Sequence, residues 1–113
     1  MGRDCTFCKI LSGEIPTEYL FENDIAVVFK DINPVAPVHI LIVPQKHIRS
    51  VNDLTDDDGK IVAEMITIAK DMAKKLSLAA SGYKLFFNVE RGGGQVIFHL
   101  HLHLIGGWHR PSK

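Results

Sequence analysis

Residues 98–105 read Phe98-His99-Leu100-His101-Leu102-His103-Leu104-Ile105, so histidine alternates with leucine along this stretch. In a β-strand, successive side chains point to opposite faces of the sheet. The three histidines therefore share one face and the three leucines share the other, and we predict a strand over residues 96–105. The leucine face supplies core, whereas the imidazole face opens onto a solvated or ligand-filled cleft.

Three imidazoles at alternate positions of one strand indicate chemistry rather than packing. They repel one another if they are charged and lack partners if they are buried and neutral. A strand that needs only a polar face would use Thr, Lys or Glu. Imidazole groups serve as metal ligands, as general acids or bases, and as nucleophiles. The residues by themselves leave these three roles open.

The remaining sequence predicts an α+β fold in one domain, residues 1–113. Residues 5–12 form a short helical turn, and a long helix begins at Thr55, presents a Met and Ile stripe to the core, and stops near Gly82. An apolar run such as residues 38–43 is typical of a central strand that is covered on both faces. The predicted strands cover residues 18–22, 25–30, 38–43, 83–89 and 96–105. Their order around one helix indicates a largely antiparallel sheet.

Composition excludes several classes of partner. Thirteen basic and thirteen acidic residues cancel, so there is no broad basic surface for nucleic acid. No run is long and apolar enough to span a membrane, and no secretory signal is visible. Cys5 and Cys8 form a C-x-x-C pair, which in the absence of an export signal is more consistent with a reducing compartment than with a disulfide. We therefore expect a cytoplasmic protein.

The histidine run resembles the signature of the histidine triad (HIT) family, and further segments resemble its Hint branch in order and spacing. These segments are Asp31-Ile32-Asn33-Pro34, Ala36-Pro37-Val38-His39, Val43-Pro44-Gln45-Lys46-His47-Ile48, Asn88, Gly93-Gly94-Gln95 and Gly106-Gly107. The resemblance covers about residues 5–108. It implies a HIT-like antiparallel sheet with one long helix and a short N-terminal helix. It also implies a homodimer in which the long helix and the strand at residues 83–89 pair and continue the sheet.

The resemblance further implies an enzyme that binds purine nucleoside monophosphates and needs no organic cofactor. Such an enzyme hydrolyses nucleoside phosphoramidates or acyl adenylates, for example adenosine 5′-phosphoramidate, through a nucleotidyl-histidine intermediate. The middle histidine, His101, is then the nucleophile. His103 and His39 stand against the phosphate and the leaving group, where imidazolium charge would stabilise the transition state, and His99 completes the catalytic set. On its own, His39 reads equally well as a core histidine.

The nucleotide-binding residues follow from the same resemblance. Asp31 corresponds to a ribose-binding carboxylate, although it can also cap the Asn33-Pro34 turn. Apolar residues that are candidates for the base pocket, or for ordinary core, are Phe7, Ile10, Phe29, Ile32 and Leu41. The phosphate is expected near Asn88, Gly94, Gln95, Val96, His101 and His103. In many Hint proteins the position of Val96 carries a hydroxyl near the leaving nitrogen, and this chain lacks it.

A metal site is the remaining expectation. The Cys5 and Cys8 pair is weak evidence alone, but several HIT proteins with this pair complete a site with two histidines, which correspond to His47 and His99 here. Two thiolates and two imidazoles form a closed tetrahedral zinc site. The resemblance thus implies structural zinc and reserves His99 for the metal.

Two other functions stay open at this point. One is a dinucleoside polyphosphate hydrolase of the Fhit type, which Gly106-Gly107 directly after the triad makes less favourable than a Hint-type activity. The other is a nucleotide-binding regulatory module whose catalysis is incidental, an alternative that the missing hydroxyl at Val96 leaves open.

Overall fold

Five antiparallel strands and two helices form the fold in a computed structural model that describes residues 5–108. The first four and last five residues of the predicted domain lie outside this part. In chain order, the elements are α1 (Thr6–Leu11), β1 (Phe21–Glu22), β2 (Ala26–Lys30), β3 (Val38–Pro44), α2 (Gly59–Lys75), β4 (Tyr83–Phe86) and β5 (Leu102–Gly106). The strands lie side by side in the order β1-β2-β3-β5-β4. The predicted α+β class is confirmed.

Each face of the sheet buries a separate hydrophobic cluster. On one face, α2 packs through Met65, Ile68 and Met72 against a group that includes Leu100, Leu102 and Leu104. On the other face, α1 contributes Phe7 to a cluster around Phe29. The three leucines of the histidine run therefore lie in the core as expected, and β3 is buried on both faces. Within residues 5–108, no helix has both the length and the apolar character that crossing a bilayer requires.

The last strand is shorter than predicted: it begins at Leu102, not at residue 96. Ile42 pairs with Leu102, so continuing the ladder would place Leu100 opposite Pro44. Proline has no N–H to donate, and the Pro44 carbonyl already accepts a 2.9 Å hydrogen bond from His99 Nε2. The Leu100 N–H instead donates to the carbonyl of Ile48 at 2.6 Å. The chain therefore joins the sheet only at Leu102, after His101.

The predicted end of the long helix near Gly82 is also wrong, because α2 ends at Lys75. Ser77 adopts a left-handed conformation with φ of 63°. Its N–H donates to the carbonyl of Lys74, and the Leu78 N–H donates to that of Ala73. These two bonds form a Schellman motif, which usually has glycine at the left-handed position. The start of the helix is closer to the prediction. A 3₁₀ turn over Asp56–Asp58 lies between Thr55, where the helix was predicted to begin, and Gly59, the first residue of α2.

The strand predicted at residues 83–89 is confined to Tyr83–Phe86, and its pairing with β5 ends at the Phe86–His103 pair. The β1 and β2 strands are likewise shorter than the predicted ranges at residues 18–22 and 25–30. In the described chain, β4 forms an edge of the sheet. Its outer hydrogen-bonding groups are therefore available for another strand.

An ion pair connects the start of α2 to the segment that carries His47. The buried Asp58 carboxylate accepts a 2.7 Å bond from Lys46 Nζ and a 2.9 Å bond from the backbone N–H of Thr55. The Lys46 contact and the Thr55 N–H lower the pKa of Asp58 from its ordinary value of 3.8. Lys46 directly precedes His47, so this contact helps to fix the loop after β3.

Replacing Asp58 with Asn tests this anchor through its pH dependence. A carboxyl whose pKa is lower in the folded than in the unfolded protein stabilises the fold above the unfolded value. The wild type should therefore exceed Asp58→Asn in thermal midpoint at pH 6–7. We expect that difference to shrink as the pH falls below about 4 and to vanish below the folded pKa. Thermal unfolding of both proteins between pH 3 and 7 measures it, and a constant difference would contradict the assignment.

Candidate active site

A cavity of about 500 Å³ lies between α1 and the sheet face that carries the histidines. Its size is within the usual range for small-molecule sites. Phe7, Ile10, Phe29 and Leu41 supply an apolar region, and the polar groups on its wall include Asp31, Asn88, His101 and His103. All of the predicted nucleotide-binding residues except Gln95 line this cavity, including Ile32, Gly94 and Val96.

Gln95 is turned away from the cavity, which corrects the expectation that its amide meets the phosphate. Its side-chain NH₂ donates to the carbonyls of Arg49 at 2.8 Å and Ile97 at 3.1 Å, and its Oε1 accepts from the N–H of Glu90 at 2.8 Å. The residue is buried. Gln95 therefore fastens the glycine-rich turn to the loop after β3, and it acts on the site only through that turn.

His101 has the tautomer that a nucleophile requires. Its Nδ1 lies 2.7 Å from the carbonyl oxygen of His99, so Nδ1–H donates there and the lone pair remains on Nε2. Phe7 packs edge-on against the imidazole with ring centroids 4.9 Å apart. Burial lowers the pKa of His101, and the bond to His99 opposes this shift. The ring is therefore neutral near pH 7.

A chain of hydrogen bonds fixes the proton of His103. The Val35 N–H donates to His39 Nδ1 at 3.1 Å, so the His39 proton is on Nε2. His39 Nε2–H then donates to His103 Nδ1 at 2.9 Å, which leaves the His103 proton on its own Nε2. Among the fully buried side-chain nitrogens and oxygens of residues 5–108, His103 Nε2 is the one that lacks a partner. His103 thus offers an unused donor in a residue that lines the cavity.

Burial, together with the charges of His101 and His39, lowers the pKa of His103 to about 4. The ring is therefore neutral at pH 7 in the free protein, in contrast to the expected imidazolium. Phe86 stacks on it with centroids 4.5 Å apart and an interplanar angle of 4°. The donor is held in place by stacking and hydrogen bonding rather than by an ion pair.

Asp31 caps the turn after β2 and also lines the cavity. One carboxylate oxygen accepts the Asn33 N–H at 2.8 Å and thereby caps the turn. The other oxygen lies 3.4 Å from His39 Nε2. The residue also lines the cavity, and its side chain is 20% exposed, so lone pairs remain for a ligand.

His99 faces away from the cavity, contrary to the expectation that three imidazoles share one cleft. Its Nδ1 lies 3.4 Å from Cys5 Sγ, 3.5 Å from Cys8 Sγ and 3.1 Å from His47 Nδ1. The bond to Pro44 occupies its Nε2, and burial lowers its pKa to about 4. Both ring nitrogens are engaged, so we exclude His99 from direct contact with a substrate in the cavity.

Cys5, Cys8, His47 and His99 bring one ligand atom each within 4.8 Å of one another and could hold a metal ion. Zinc–sulfur and zinc–nitrogen bonds of ordinary length give tetrahedron edges of about 3.3–3.8 Å. The observed separations between these sulfurs and nitrogens are close to that range, for example 3.2 Å between Cys8 Sγ and His47 Nδ1. Both cysteines are free thiols. The donor set and its spacing therefore fit a tetrahedral site.

Some residues of the site were not predicted from the sequence. Additional cavity residues are Thr6, Ile15, Pro16, Thr17, Lys30, Asn33 and Ile97. The glycine-rich turn is held by Glu90, which has φ of 59° and accepts bonds from Arg49 at 2.9 Å and Ser50 at 2.8 Å. Neither set carries a local sequence signal, since both depend on chain segments that meet only after folding.

Comparison with known proteins agrees with this geometry. Residues 4–112 match the family described as scavenger mRNA decapping enzyme C-terminal binding. A HIT family hydrolase from Legionella pneumophila is 48% identical, with a TM-score of 0.90 over 93% of this chain and 94% of that chain. This chain belongs to the HIT family.

Further relatives support the same placement. A histidine triad protein from Clostridium difficile is 40% identical, with a TM-score of 0.90 over 98% of this chain and 96% of that chain. The purine nucleoside phosphoramidase of Escherichia coli K12 is 40% identical over 107 residues, which is 95% of this chain and 90% of the relative. The predicted HIT membership and HIT-like fold are thereby confirmed, as is the coarse prediction of a hydrolase enzyme.

Proposed function

We propose that this HIT protein binds a purine nucleotide and hydrolyses a phosphorus–nitrogen or acyl-phosphate bond at its α-phosphate, with His101 as nucleophile. The observation that supports the proposal best is the 2.7 Å contact of His101 Nδ1 with the His99 carbonyl, since it directs the Nε2 lone pair to the reaction. The similarity to a phosphoramidase from Escherichia coli supports the same substrate class.

The reaction divides into two displacements. His101 Nε2 attacks the α-phosphorus, the bond from phosphorus to the leaving nitrogen breaks, and that nitrogen takes a proton from solvent and departs as the amine. Water then attacks the phosphorus, the bond from phosphorus to Nε2 breaks and a water proton returns to solvent, which releases the nucleoside monophosphate and restores neutral His101. Neutral imidazole is a competent nucleophile near pH 7 and is also readily displaced from phosphorus.

His103 supports the transition state by hydrogen bonding. Its unpartnered Nε2–H can donate to a phosphate oxygen or to the leaving nitrogen, which Val96 cannot do. Bound phosphate would raise the pKa of His103, because a nearby negative charge favours the imidazolium form. His39 positions this donor through His103 Nδ1 and does not itself line the cavity.

The purine is proposed to lie at the apolar end of the cavity, among Phe7, Ile10, Phe29, Ile32 and Leu41. Asp31 would accept hydrogen bonds from the ribose hydroxyls. Asn88 and Gly94 adjoin each other, since a Cβ at Gly94 would lie 3.8 Å from the Asn88 amide. They lie on the cavity wall together with His101 and His103, so we place the phosphate beside these four residues.

Asp31→Asn tests the position of the ribose. A hydrogen bond to a charged group contributes about 1.5–3 kcal/mol, or about ten- to a hundredfold in kcat/KM. The wild type should prefer an adenosine substrate over its 2′-deoxy analogue by a factor in this range, and Asp31→Asn should lose most of that preference. An unchanged preference would place the ribose elsewhere.

The metal proposed for the Cys5, Cys8, His47 and His99 cluster is zinc. When bound, it would act as a structural ion, because four protein ligands leave no open position for a substrate. The His99 Nε2–H···O bond to Pro44 orients the ring so that Nδ1 faces the thiols, as a supporting hydrogen bond to a metal-binding histidine does. Two reduced cysteines suit the cytoplasm, where we place the protein.

A homodimer is also part of the proposal. The β4 edge carries Leu85, which is 36% exposed, and Ile66 on α2 is 46% exposed. Pairing of two β4 edges would continue the sheet and cover apolar side chains of this kind. The HIT resemblance implies the same arrangement.

Steady-state hydrolysis of two substrates tests the function. We expect adenosine 5′-phosphoramidate to be cleaved with a higher kcat/KM than diadenosine tetraphosphate. The opposite order would favour a dinucleoside polyphosphate hydrolase. Tight binding of AMP without turnover of either compound would favour a regulatory module.

A further inference from the structure

Glu90 begins the glycine-rich turn in a backbone conformation that residues with side chains rarely adopt. Its φ is 59° and its ψ is 177°. This region is essentially restricted to glycine, and strain of this kind persists only where the surrounding contacts enforce it. Glycines occupy positions 92–94 of the same turn, yet position 90 carries a side chain. The contacts of that side chain therefore need an explanation.

Every polar group of Glu90 is engaged. Its carboxylate accepts hydrogen bonds from Arg49 Nη2 at 2.9 Å, Arg49 Nε at 3.1 Å and Ser50 Oγ at 2.8 Å. Its N–H donates to Gln95 Oε1 at 2.8 Å, and its carbonyl accepts from the N–H groups of Gly93 and Gln95, each at 3.0 Å. The bonds from Arg49 and Ser50 lower the pKa of the Glu90 carboxyl, so it is ionised at pH 7.

The contact with Ser50 restrains the Glu90 side chain more than the ion pair does. The Arg49 and Glu90 side chains are 53% and 33% exposed, so solvent weakens their attraction. Ser50 is fully buried, and its Oγ also accepts from the Asn52 N–H at 3.1 Å. Moving the Glu90 carboxylate away would leave the buried Ser50 hydroxyl without its acceptor. The loop after β3 thus enforces the conformation of residue 90.

The turn joins two residues of the cavity wall. Asn88 lies two positions before Glu90 and Gly94 lies four positions after it, and both line the cavity, whereas Glu90 does not. The two ends of the turn adjoin, since a Cβ at Gly94 would lie 3.8 Å from the Asn88 amide. A change in the φ of Glu90 would rotate one end relative to the other. The backbone of Glu90 therefore sets the spacing of Asn88 and Gly94.

We infer that Glu90 is a positioning residue whose strained backbone, held by Ser50 and Arg49, arranges Asn88 and Gly94 for the nucleotide phosphate before the ligand binds. A site that is already ordered binds more tightly, because the cost of ordering is not incurred on binding. The inference rests on the proposed function, since it takes the phosphate to lie beside Asn88 and Gly94. Its effect is confined to the phosphate, because the base and ribose contacts lie elsewhere in the cavity.

The ratio of the Kd of adenosine to the Kd of AMP, measured by titration calorimetry, isolates the contribution of the phosphate. Glu90→Ala keeps the strain but removes the carboxylate that sustains it. Such strain corresponds to about five- to a hundredfold in an equilibrium constant. We therefore expect the ratio to fall about tenfold in Glu90→Ala, with the affinity for adenosine unchanged. Glu90→Gly should keep most of the wild-type ratio, because glycine adopts this φ without strain.

Ser50→Ala tests the same idea with Glu90 intact. It removes the buried hydroxyl that holds the carboxylate, so it should lower the ratio in the wild-type background. In the Glu90→Gly background there is no carboxylate to hold, and Ser50→Ala should then leave the ratio unchanged. An equal fall in both backgrounds would contradict the inference.

Ser77 provides the matched control. It is the other non-glycine residue with a positive φ among residues 5–108, at 63°, and it does not line the cavity. Ser77→Ala should have the wild-type ratio. An unchanged ratio in Glu90→Ala, or an equal fall in Glu90→Ala and Glu90→Gly, would overturn the inference and leave the proposed function intact. A wild-type ratio of about one would instead refute the phosphate site on which the proposed function depends.

Discussion

Replacing His101 with glycine should lower the turnover of adenosine 5′-phosphoramidate by at least about a thousandfold, as loss of a nucleophile does in other enzymes. The His101 side chain contacts Phe7 and the His99 carbonyl, and no other described residue places a free imidazole lone pair in the cavity. His103 cannot replace it, because its Nε2 carries the proton and the lone pair on its Nδ1 accepts a hydrogen bond from His39.

Two controls separate chemistry from folding in this experiment. AMP affinity and the thermal midpoint of His101→Gly should stay close to the wild-type values, since the base and ribose contacts lie elsewhere in the cavity. Free imidazole added to His101→Gly should restore part of the turnover by occupying the space that the side chain leaves. Turnover within tenfold of the wild type would contradict the assignment of His101.

Removing the proposed metal has the second large expected effect. Zinc at about a thousandfold above its Kd stabilises a protein that binds it only when folded by about 4 kcal/mol. For a domain of this size, that corresponds to a fall of about 10–20 °C in thermal midpoint on chelation. Scanning calorimetry before and after treatment with a chelator, with metal analysis of the same samples, measures the change.

Removal of the metal should also lower the affinity for nucleotide. Helix α1 has six residues, which is too few for a stable isolated helix. Cys5 caps this helix through a 3.2 Å bond from the Cys8 N–H, and the same helix carries Phe7 and Ile10 into the proposed base pocket. Loss of the ion would release the helix from His47 and His99. We therefore expect weaker AMP binding by calorimetry in the metal-free protein.

The Cys5→Ser/Cys8→Ser variant is the matched control for metal removal. Zinc should raise neither its thermal midpoint nor its AMP affinity, and magnesium should have no effect on either protein, because hard cations prefer oxygen ligands. Equal stabilisation of the variant and the wild type by zinc would place the ion outside this cluster.

The sequence predicts those parts of the structure that depend on local periodicity. Alternation in residues 98–105 predicts which side chains are core, and Leu100, Leu102 and Leu104 are all buried. The apolar run before Pro44 is the central strand. The family motifs, which record residues that meet in space, predict the cavity residues far better than composition or spacing does.

The errors arise where distant backbone groups decide the outcome. The ladder stops at Leu102 because Pro44, on another strand, cannot donate a hydrogen bond. Ser77 ends the helix because Leu78 is drawn into the core at 4% exposure, although Gly82 carries the stronger local signal. The Gln95 side chain donates hydrogen bonds to the backbone carbonyls of Arg49 and Ile97, and His99 contacts the cysteine thiols. None of these partners is adjacent in sequence.

The central claim is that His101 carries the nucleotide during turnover, and trapping that intermediate tests it most directly. The protein should be mixed with adenosine 5′-phosphoramidate, quenched within one turnover and digested under conditions that preserve phosphoramidate bonds. Mass spectrometry of the peptides should then find an adenylyl group on His101. An adenylyl group on His103 or on another residue, or rapid turnover with no covalent adduct, would contradict the account.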